Sequence, residues 1–206
     1  MAQGDFPREG VGVTAFFLGS SVTFGSASGG VSFVEMLGER LGWTAVKEAV
    51  SGTTLANLDE NSYPARLRRR LPDVRPDLFV CQLSTNDAAR GVPLGEPGAQ
   101  EATVAGAIES VVRLARGAWG CPVWFYTSPR FDSVAYGEMV ARLNEMAPAL
   151  GVRVLDLWND AAFNALDPAQ RARYMADPVH PTLEGYREWW TPRFAEALAS
   201  SDGRVR

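Results

Sequence analysis

One histidine, His180, occurs in the whole chain, so any imidazole chemistry must be its own. It stands in Asp177-Pro178-Val179-His180-Pro181, three residues after a carboxylate. A serine hydrolase needs an imidazole to take the serine proton and a carboxylate to orient that ring, and this segment carries both. A proline-bounded surface turn with a lone histidine would use the same residues, so the other end of the chain decides. There the sequence runs Gly19-Ser20-Ser21-Val22-Thr23-Phe24-Gly25 after an apolar stretch, Val13 to Leu18. That stretch reads as a buried strand breaking into a small-residue turn, and Phe33, Val34, Leu37 and Leu41 recur beyond it at helical spacing. Strand, tight turn and helix expose a serine where turn amides can stabilise negative charge. Both Ser20 and Ser21 qualify as nucleophile. A phosphate-cradling loop, as in flavodoxin-like nucleotide binders, or a plain structural turn would also account for the glycine and serines.

The elements that must position these residues alternate along the chain. Thr44 to Val50 is a short strand candidate, and Leu78 to Leu83, Pro122 to Thr127 and Val152 to Leu157 are three more. Between them Val104, Ile108, Val111 and Ala115 repeat at helical spacing, as do Tyr136, Met139, Val140, Leu143, Met146 and Leu150. A last helix carries Leu183, Tyr186, Trp190 and Phe194 on one face, with Pro192 expected to kink it and Thr191 to cap its second part. Five short apolar strands alternating with helices predict an α/β fold whose parallel sheet is covered on both faces. Ligands in such folds bind beyond the carboxyl ends of the strands, where this chain places Gly19-Ser20-Ser21, Ser51-Gly52-Thr53-Thr54, Ser84-Thr85-Asn86-Asp87 and Thr127-Ser128-Pro129-Arg130. Gly91 to Gly98 reads as a flexible loop and Ser200 to Arg206 as a loose tail.

A serine nucleophile also needs donors for the developing oxyanion. The Asn86 side-chain amide, the Gly52 N–H, which no Cβ shields, and the Ser21 N–H come from three strand-end turns and are free to converge. Arg130, Phe131 and Trp158 lie beyond strand ends and are candidate pocket lining. Trp190 shares a helical face with Leu183, Tyr186 and Phe194, which assigns it and Trp189 to the core rather than to sugar stacking. Arg66, Arg68, Arg69 and Arg70 read as the solvated face of a short helix.

At 206 residues the chain is long enough for one substantial core, and a single domain is expected, with its core at about 11–199. A net charge of −4 gives no reason to expect nucleic acid or an anionic membrane. No stretch approaches the roughly 20 apolar residues of a membrane span. Polar Met1 to Gly12 and the short Val13 to Leu18 do not make a signal segment, so a cytoplasmic location is expected. Cys81 and Cys121 both sit in or beside apolar runs and read as small core residues. With one histidine and no Cys/His cluster, neither a metal nor another cofactor is expected. No feature of the sequence sets an oligomeric state.

These blocks together resemble the SGNH hydrolases, the superfamily of GDSL-type esterases and lipases. The family's Gly-Asp-Ser-Leu-Thr block with its following glycine is similar to Gly19 through Gly25. Its glycine block corresponds to Gly52, its Gly-x-Asn-Asp block to Ser84 through Asp87, and its Asp-x-x-His block to Asp177 through His180. Each block is short, but all four occur in family order across most of the chain. The resemblance implies a flavodoxin-like three-layer α/β/α sandwich with a five-stranded parallel sheet of order 2-1-3-4-5. It implies Ser21 as nucleophile, His180 as base, Asp177 as its orienter, and an oxyanion hole from Ser21, Gly52 and Asn86. It also implies a choice between the serines, since Ser20 stands where the family has aspartate. Ser84 stands where the family has glycine, an expected crowding of the turn that carries Asn86. The activity implied is hydrolysis of a small-molecule or carbohydrate ester, with acetyl or another short acyl group. Acyl transfer or thioester hydrolysis would use the same residues, and a non-catalytic binding module would keep the fold without turnover.

Overall fold

Side-chain alternation along the central strands builds two cores, one on each face of a sheet. In this computed structural model, which describes residues 12–199, β1 (Thr14–Gly19) sends Phe16 and Leu18 to one face and Ala15 and Phe17 to the other. β3 (Leu78–Gln82) and β4 (Val123–Tyr126) divide in the same way, with Phe79, Cys81, Val123 and Phe125 opposite Leu78, Val80, Trp124 and Tyr126. β2 (Thr44–Ala49) and β5 (Arg153–Leu155) are the edges, with less buried patterns than the central strands. All pairings are parallel and the order is β2-β1-β3-β4-β5, the α/β topology expected. β4 begins one residue later than expected because Pro122 has no N–H to give a ladder.

The first face is covered by α3 (Tyr63–Arg70), α5 (Val104–Trp119) and α6 (Val134–Leu150). The second is covered by α2 (Phe33–Leu41) and a long C-terminal helical segment. α2 starts at a capping box, in which Ser32 and Glu35 satisfy each other's backbone donors. Its Phe33 ring stacks on Phe194 at 4.1 Å and lies 5.8 Å from Trp190, so the aromatic residues of the last helix fill this core. Trp189 is buried too, and its indole N–H donates to the Phe163 carbonyl at 3.0 Å.

The C-terminal segment differs from its expected form. Gly185–Trp190 winds as a wide π-type turn and runs without a break into α9 (Thr191–Ala199). Thr191 has helical angles, φ −57° and ψ −42°, and its hydroxyl faces Met36 Sδ at 3.5 Å rather than capping anything. A change of helical pitch just before Pro192 accommodates a residue that cannot donate to the ladder. Gly185 itself lies so close to the Tyr174 carbonyl that any Cβ would collide with it. The segment Gly91–Gly98, expected as a flexible loop, is pinned by Arg142, which bonds the Gly95 carbonyl at 2.9 Å and pairs with Glu96 at 2.8 Å. The expected tail, Ser200 to Arg206, and Met1 to Val11 lie outside the described residues. Among the described residues no helix is long and apolar enough to cross a membrane.

Four short helices complete the chain around the carboxyl edge of the sheet: α1 (Ser21–Phe24), α4 (Thr85–Ala89), α7 (Ala161–Asn164) and α8 (Pro168–Tyr174). The candidate residues sit in and beside them.

Candidate active site

Ser21 follows β1 by two residues, and its turn is held from below by buried side chains. The peptide between Gly19 and Ser20 is clamped at both poles. Arg66 Nη2 donates to the Gly19 carbonyl at 2.7 Å, and the Ser20 N–H donates to Gln82 Oε1 at 2.9 Å. Gln82 Oε1 also accepts from Thr23 Oγ1 at 2.7 Å. With its only proton so engaged, Thr23 Oγ1 must accept from Tyr126, whose hydroxyl is 2.6 Å away. Burial pushes the Tyr126 phenol well above its ordinary range, so it keeps the proton it donates. Tyr186 adds a bond from its hydroxyl to the Val22 carbonyl at 2.7 Å, and Ser32 one to the Thr23 carbonyl at 2.7 Å. Gly19 has no room for a Cβ, because the Thr23 side chain occupies that space.

Ser20 is fully buried and points its backbone and hydroxyl at Gln82, while Ser21 is 7% exposed. The hydroxyl that stands in the family's aspartate position is therefore served by a neutral amide.

The turns after β2 and β3 are tied to each other. Asn86 Nδ2 donates to the Thr53 carbonyl at 2.9 Å, and Ser84 Oγ reaches the same oxygen at 3.3 Å. The buried Asp87 carboxylate accepts the N–H groups of Leu55 at 2.7 Å and Ala56 at 2.8 Å. Burial pushes the Asp87 carboxyl up, against those two amides and the Ser84 hydroxyl that favour its charge. Arg90 closes the tie on the Gly52 carbonyl at 2.7 Å. Ser84 does not crowd this turn: at φ −74° and ψ 128° it is an ordinary N-cap whose hydroxyl accepts the Asn86 N–H. Gly52 has φ +79°, a conformation that favours glycine.

Arg66 joins the first turn to the second. Its guanidinium bonds Thr53 Oγ1 at 3.2 Å as well as the Gly19 carbonyl, and pairs with Glu48 at 3.2 Å. It is 2% exposed, which corrects its placement on a solvated face with Arg68, Arg69 and Arg70. The signal was present in the helical phase: Arg66 lies three residues after Tyr63 and beside Leu67, both fully buried. Gln82, a lone amide in an apolar strand, also escaped the sequence reading, although an isolated polar residue in such a run is itself a mark of a buried network; Asp87 was read only as part of its block, without a role.

The last part of the site follows α8. Met175 and Pro181 form an antiparallel bridge, and Ala176 N–H donates to the His180 carbonyl at 2.9 Å, closing a turn over Asp177–His180. Within it Asp177 Oδ1 accepts the N–H groups of Val179 and His180, each at 2.8 Å. Asp177 Oδ2 lies 2.7 Å from His180 Nδ1, and His180 Nε2 lies 2.8 Å from Ser21 Oγ. Partial burial works to raise the Asp177 carboxyl, but those two amides and the imidazole outweigh it and hold the group below its ordinary range. A carboxylate so placed keeps the proton on Nδ1, which leaves the Nε2 lone pair facing the serine hydroxyl.

A cavity of about 390 Å³ opens beside this line, bounded by Asn86, His180, Phe131 and the small side chains of α4. Phe131 also bounds a second cavity, of about 530 Å³, on the α8 side. Arg130 and Trp158 border neither. Arg130 lies over the Trp158 ring at 5.7 Å, and Trp158 meets Phe131 edge-on at 5.4 Å, so the two back the lining residue instead of joining it. Among the described residues no group of three or more His, Cys, Asp or Glu side chains is gathered to hold a metal ion.

The profile of the GDSL-like lipase/acylhydrolase family matches residues 17–188. The chain belongs to that family. Solved structures agree on the fold of this GDSL-like hydrolase. A Lactobacillus plantarum protein superposes with a TM-score of 0.78 at 23% identity, over 93% of this chain and 99% of its own. A candidate SGNH hydrolase from Slackia heliotrinireducens follows at 0.67 and 22%, over 91% and 100%. A Sinorhizobium meliloti protein described as a carbohydrate acetylesterase family member gives 0.64 and 16%, over 91% and 98%. No curated protein sequence matches this GDSL-like chain closely.

Proposed function

We propose that this GDSL-like hydrolase is a serine esterase for short acyl esters, with Ser21 as nucleophile, His180 as general base and Asp177 as the orienter of the imidazole. The observation that carries the reading is the unbroken line from Asp177 Oδ2 through His180 to Ser21 Oγ, at 2.7 and 2.8 Å. The Ser21 and Gly52 N–H groups and the Asn86 amide are the proposed oxyanion donors. Asn86 spends one of its two amide protons on Thr53, which fixes the direction of the other.

In this reading Ser21 Oγ bonds to the ester carbonyl carbon as its proton passes to His180 Nε2. The carbonyl π electrons move onto oxygen, where the three donors receive the charge. Collapse of the tetrahedral species breaks the bond to the alcohol oxygen, which takes the proton from Nε2. Water then attacks the acyl-serine, giving its proton to Nε2, and a second collapse returns that proton to Ser21 Oγ and frees the acid. The cavity of about 390 Å³ beside Asn86 and His180, walled by Ala88 and Ala89, suits a short acyl group.

Hydrolysis of p-nitrophenyl acetate and butyrate by wild type, Ser21→Ala and His180→Ala tests the assignment. Turnover in wild type and its loss in both variants is expected. Turnover that survives Ser21→Ala removes Ser21 as nucleophile, and a wild type inactive on both esters favours a binding module.

A further inference from the structure

The helix that begins with Ser21 is a single turn, α1, and side chains hold its carbonyl end. Within it the Phe24 N–H donates to the Ser20 carbonyl at 2.8 Å and the Gly25 N–H to the Ser21 carbonyl at 2.9 Å. The last carbonyls of a helix have no partner inside it, and here three separate elements supply one donor each. Tyr186 Oη donates to the Val22 carbonyl at 2.7 Å, Ser32 Oγ to that of Thr23 at 2.7 Å, and Lys47 Nζ to that of Phe24 at 3.1 Å. Of these three donors, Tyr186 alone belongs to the segment that carries His180.

The path from His180 to Tyr186 is short and fixed. The Thr182 N–H donates to the Tyr174 carbonyl at 2.9 Å and its hydroxyl to the Arg173 carbonyl at 2.8 Å. The Gly185 N–H turns back to Thr182 Oγ1 at 3.1 Å, and the Tyr186 N–H to the Thr182 carbonyl at 3.0 Å. Tyr186 is fully buried, with its ring 6.3 Å from that of Phe33 and 5.9 Å from that of Trp190. Burial raises its phenol far above the ordinary range, so the hydroxyl keeps the proton it donates.

The π-type turn over Gly185–Trp190 serves this aim. Tyr186, Trp190, Phe194 and Leu198 are all buried, at a spacing of four. In a regular α-helix each step of four overruns the turn by about 40°, and three steps by about 120°. That drift would swing one end of the row off the core. One wide turn at the start reduces it, so Tyr186 meets Val22 while Trp190 and Phe194 pack on Phe33.

We propose that Tyr186 is a positioning residue for the Ser21–His180 pair. Its hydroxyl ties the segment that carries the imidazole to the helix that carries the nucleophile, and so sets the separation of Nε2 from Oγ. This rests on the serine-esterase reading above. Tyr186 touches no reacting atom. Without its hydrogen bond the single turn of α1 is free to tilt against the His180 loop, and a misplacement of about 1 Å at a reacting pair costs about a hundredfold in rate.

The test is steady-state hydrolysis of p-nitrophenyl acetate by Tyr186→Phe, which keeps the ring in the core and deletes the bond. A fall in kcat of at least about tenfold is expected, with KM within about twofold of wild type. The rate of Ser21 sulfonylation by phenylmethanesulfonyl fluoride should fall with kcat. Trp189→Phe is the control, because it removes a buried bond of the same segment that goes to the Phe163 carbonyl and not to α1. It is expected to lower the urea midpoint and leave kcat unchanged. Replacement of Tyr186 by 4-aminophenylalanine returns a donor to the same place and should restore most of the lost kcat. Wild-type kcat in Tyr186→Phe overturns the positioning role and leaves the esterase reading standing. An equal loss of kcat in Trp189→Phe does the same, as does a 4-aminophenylalanine variant as slow as Tyr186→Phe. A wild type that neither hydrolyses the ester nor is sulfonylated at Ser21 overturns the esterase reading and the positioning role with it.

Discussion

Arg66 Nη2 and the Gly19 carbonyl oxygen lie 2.7 Å apart, so a buried guanidinium on α3 grips the chain two residues before Ser21. The same side chain holds the Glu48 and Asn61 carbonyls and the Glu48 carboxylate. Arg66→Met keeps the apolar stem but strands those acceptors, and removing one member of a buried pair costs roughly 3–5 kcal/mol. Urea denaturation of the variant should show a loss of that order. Arg68→Met, at a half-exposed position, should change stability by less than about 1 kcal/mol.

Gln82→Leu fills the same space and deletes the acceptor shared by the Ser20 N–H and Thr23 hydroxyl. Each buried donor left without a partner costs about 1–3 kcal/mol. The expected outcome is a lower urea midpoint together with a lower kcat, because the orphaned Ser20 amide is next to Ser21. Retention of wild-type kcat would show that the Ser21 turn does not depend on Gln82.

Gly52 and Gly98 provide a matched pair. Both have positive φ, +79° and +83°, and neither has an atom near the position of an added Cβ. Alanine at either imposes left-handed strain of about 1–2 kcal/mol, visible as similar shifts of the denaturation midpoint. Only Gly52→Ala should lower kcat, since only Gly52 is a proposed oxyanion donor.

Asn86→Ala removes a proposed oxyanion donor and the tie to Thr53. Loss of one such donor typically lowers turnover by about a hundred- to a thousandfold. Steady-state kinetics on p-nitrophenyl acetate should show this in kcat with KM little changed.

Asp177 is held below its ordinary range in the folded chain. A carboxyl with a depressed folded pKa stabilises the fold above its unfolded value, and that stability is lost as pH falls through the folded value. The stability difference between wild type and Asp177→Asn should therefore be constant near neutrality and shrink below about pH 4. A difference that widens in acid would contradict the depressed value.

The central strands were legible because both faces are covered: an unbroken run such as Phe16-Phe17-Leu18 has few alternatives to a buried strand. The edge strand β5 was expected over Val152 to Leu157 and spans only Arg153–Leu155, whereas β2, in spite of Lys47 and Glu48, ends one residue short of its expected limit. Asp177, His180 and Ser21 stood out as residue types and blocks, and the structure places them within hydrogen-bonding distance. Residues that act through side chains below the site were hidden. Arg66 looked like one more arginine of a basic helix, and Gln82 like the end of a strand, because their partners lie 47 and 62 residues away in sequence. The π-type turn before Pro192 was invisible for a similar reason, since apolar spacing records which face is buried and not the pitch of the ladder.

The imidazole between Asp177 and Ser21 is the sole histidine ring of the chain. In an untagged sample, the nitrogen-15 resonances of one imidazole would report tautomer, protonation and inhibitor binding at the site with no assignment problem. A polyhistidine tag would erase that advantage, so purification by another handle makes the molecule its own spectroscopic probe.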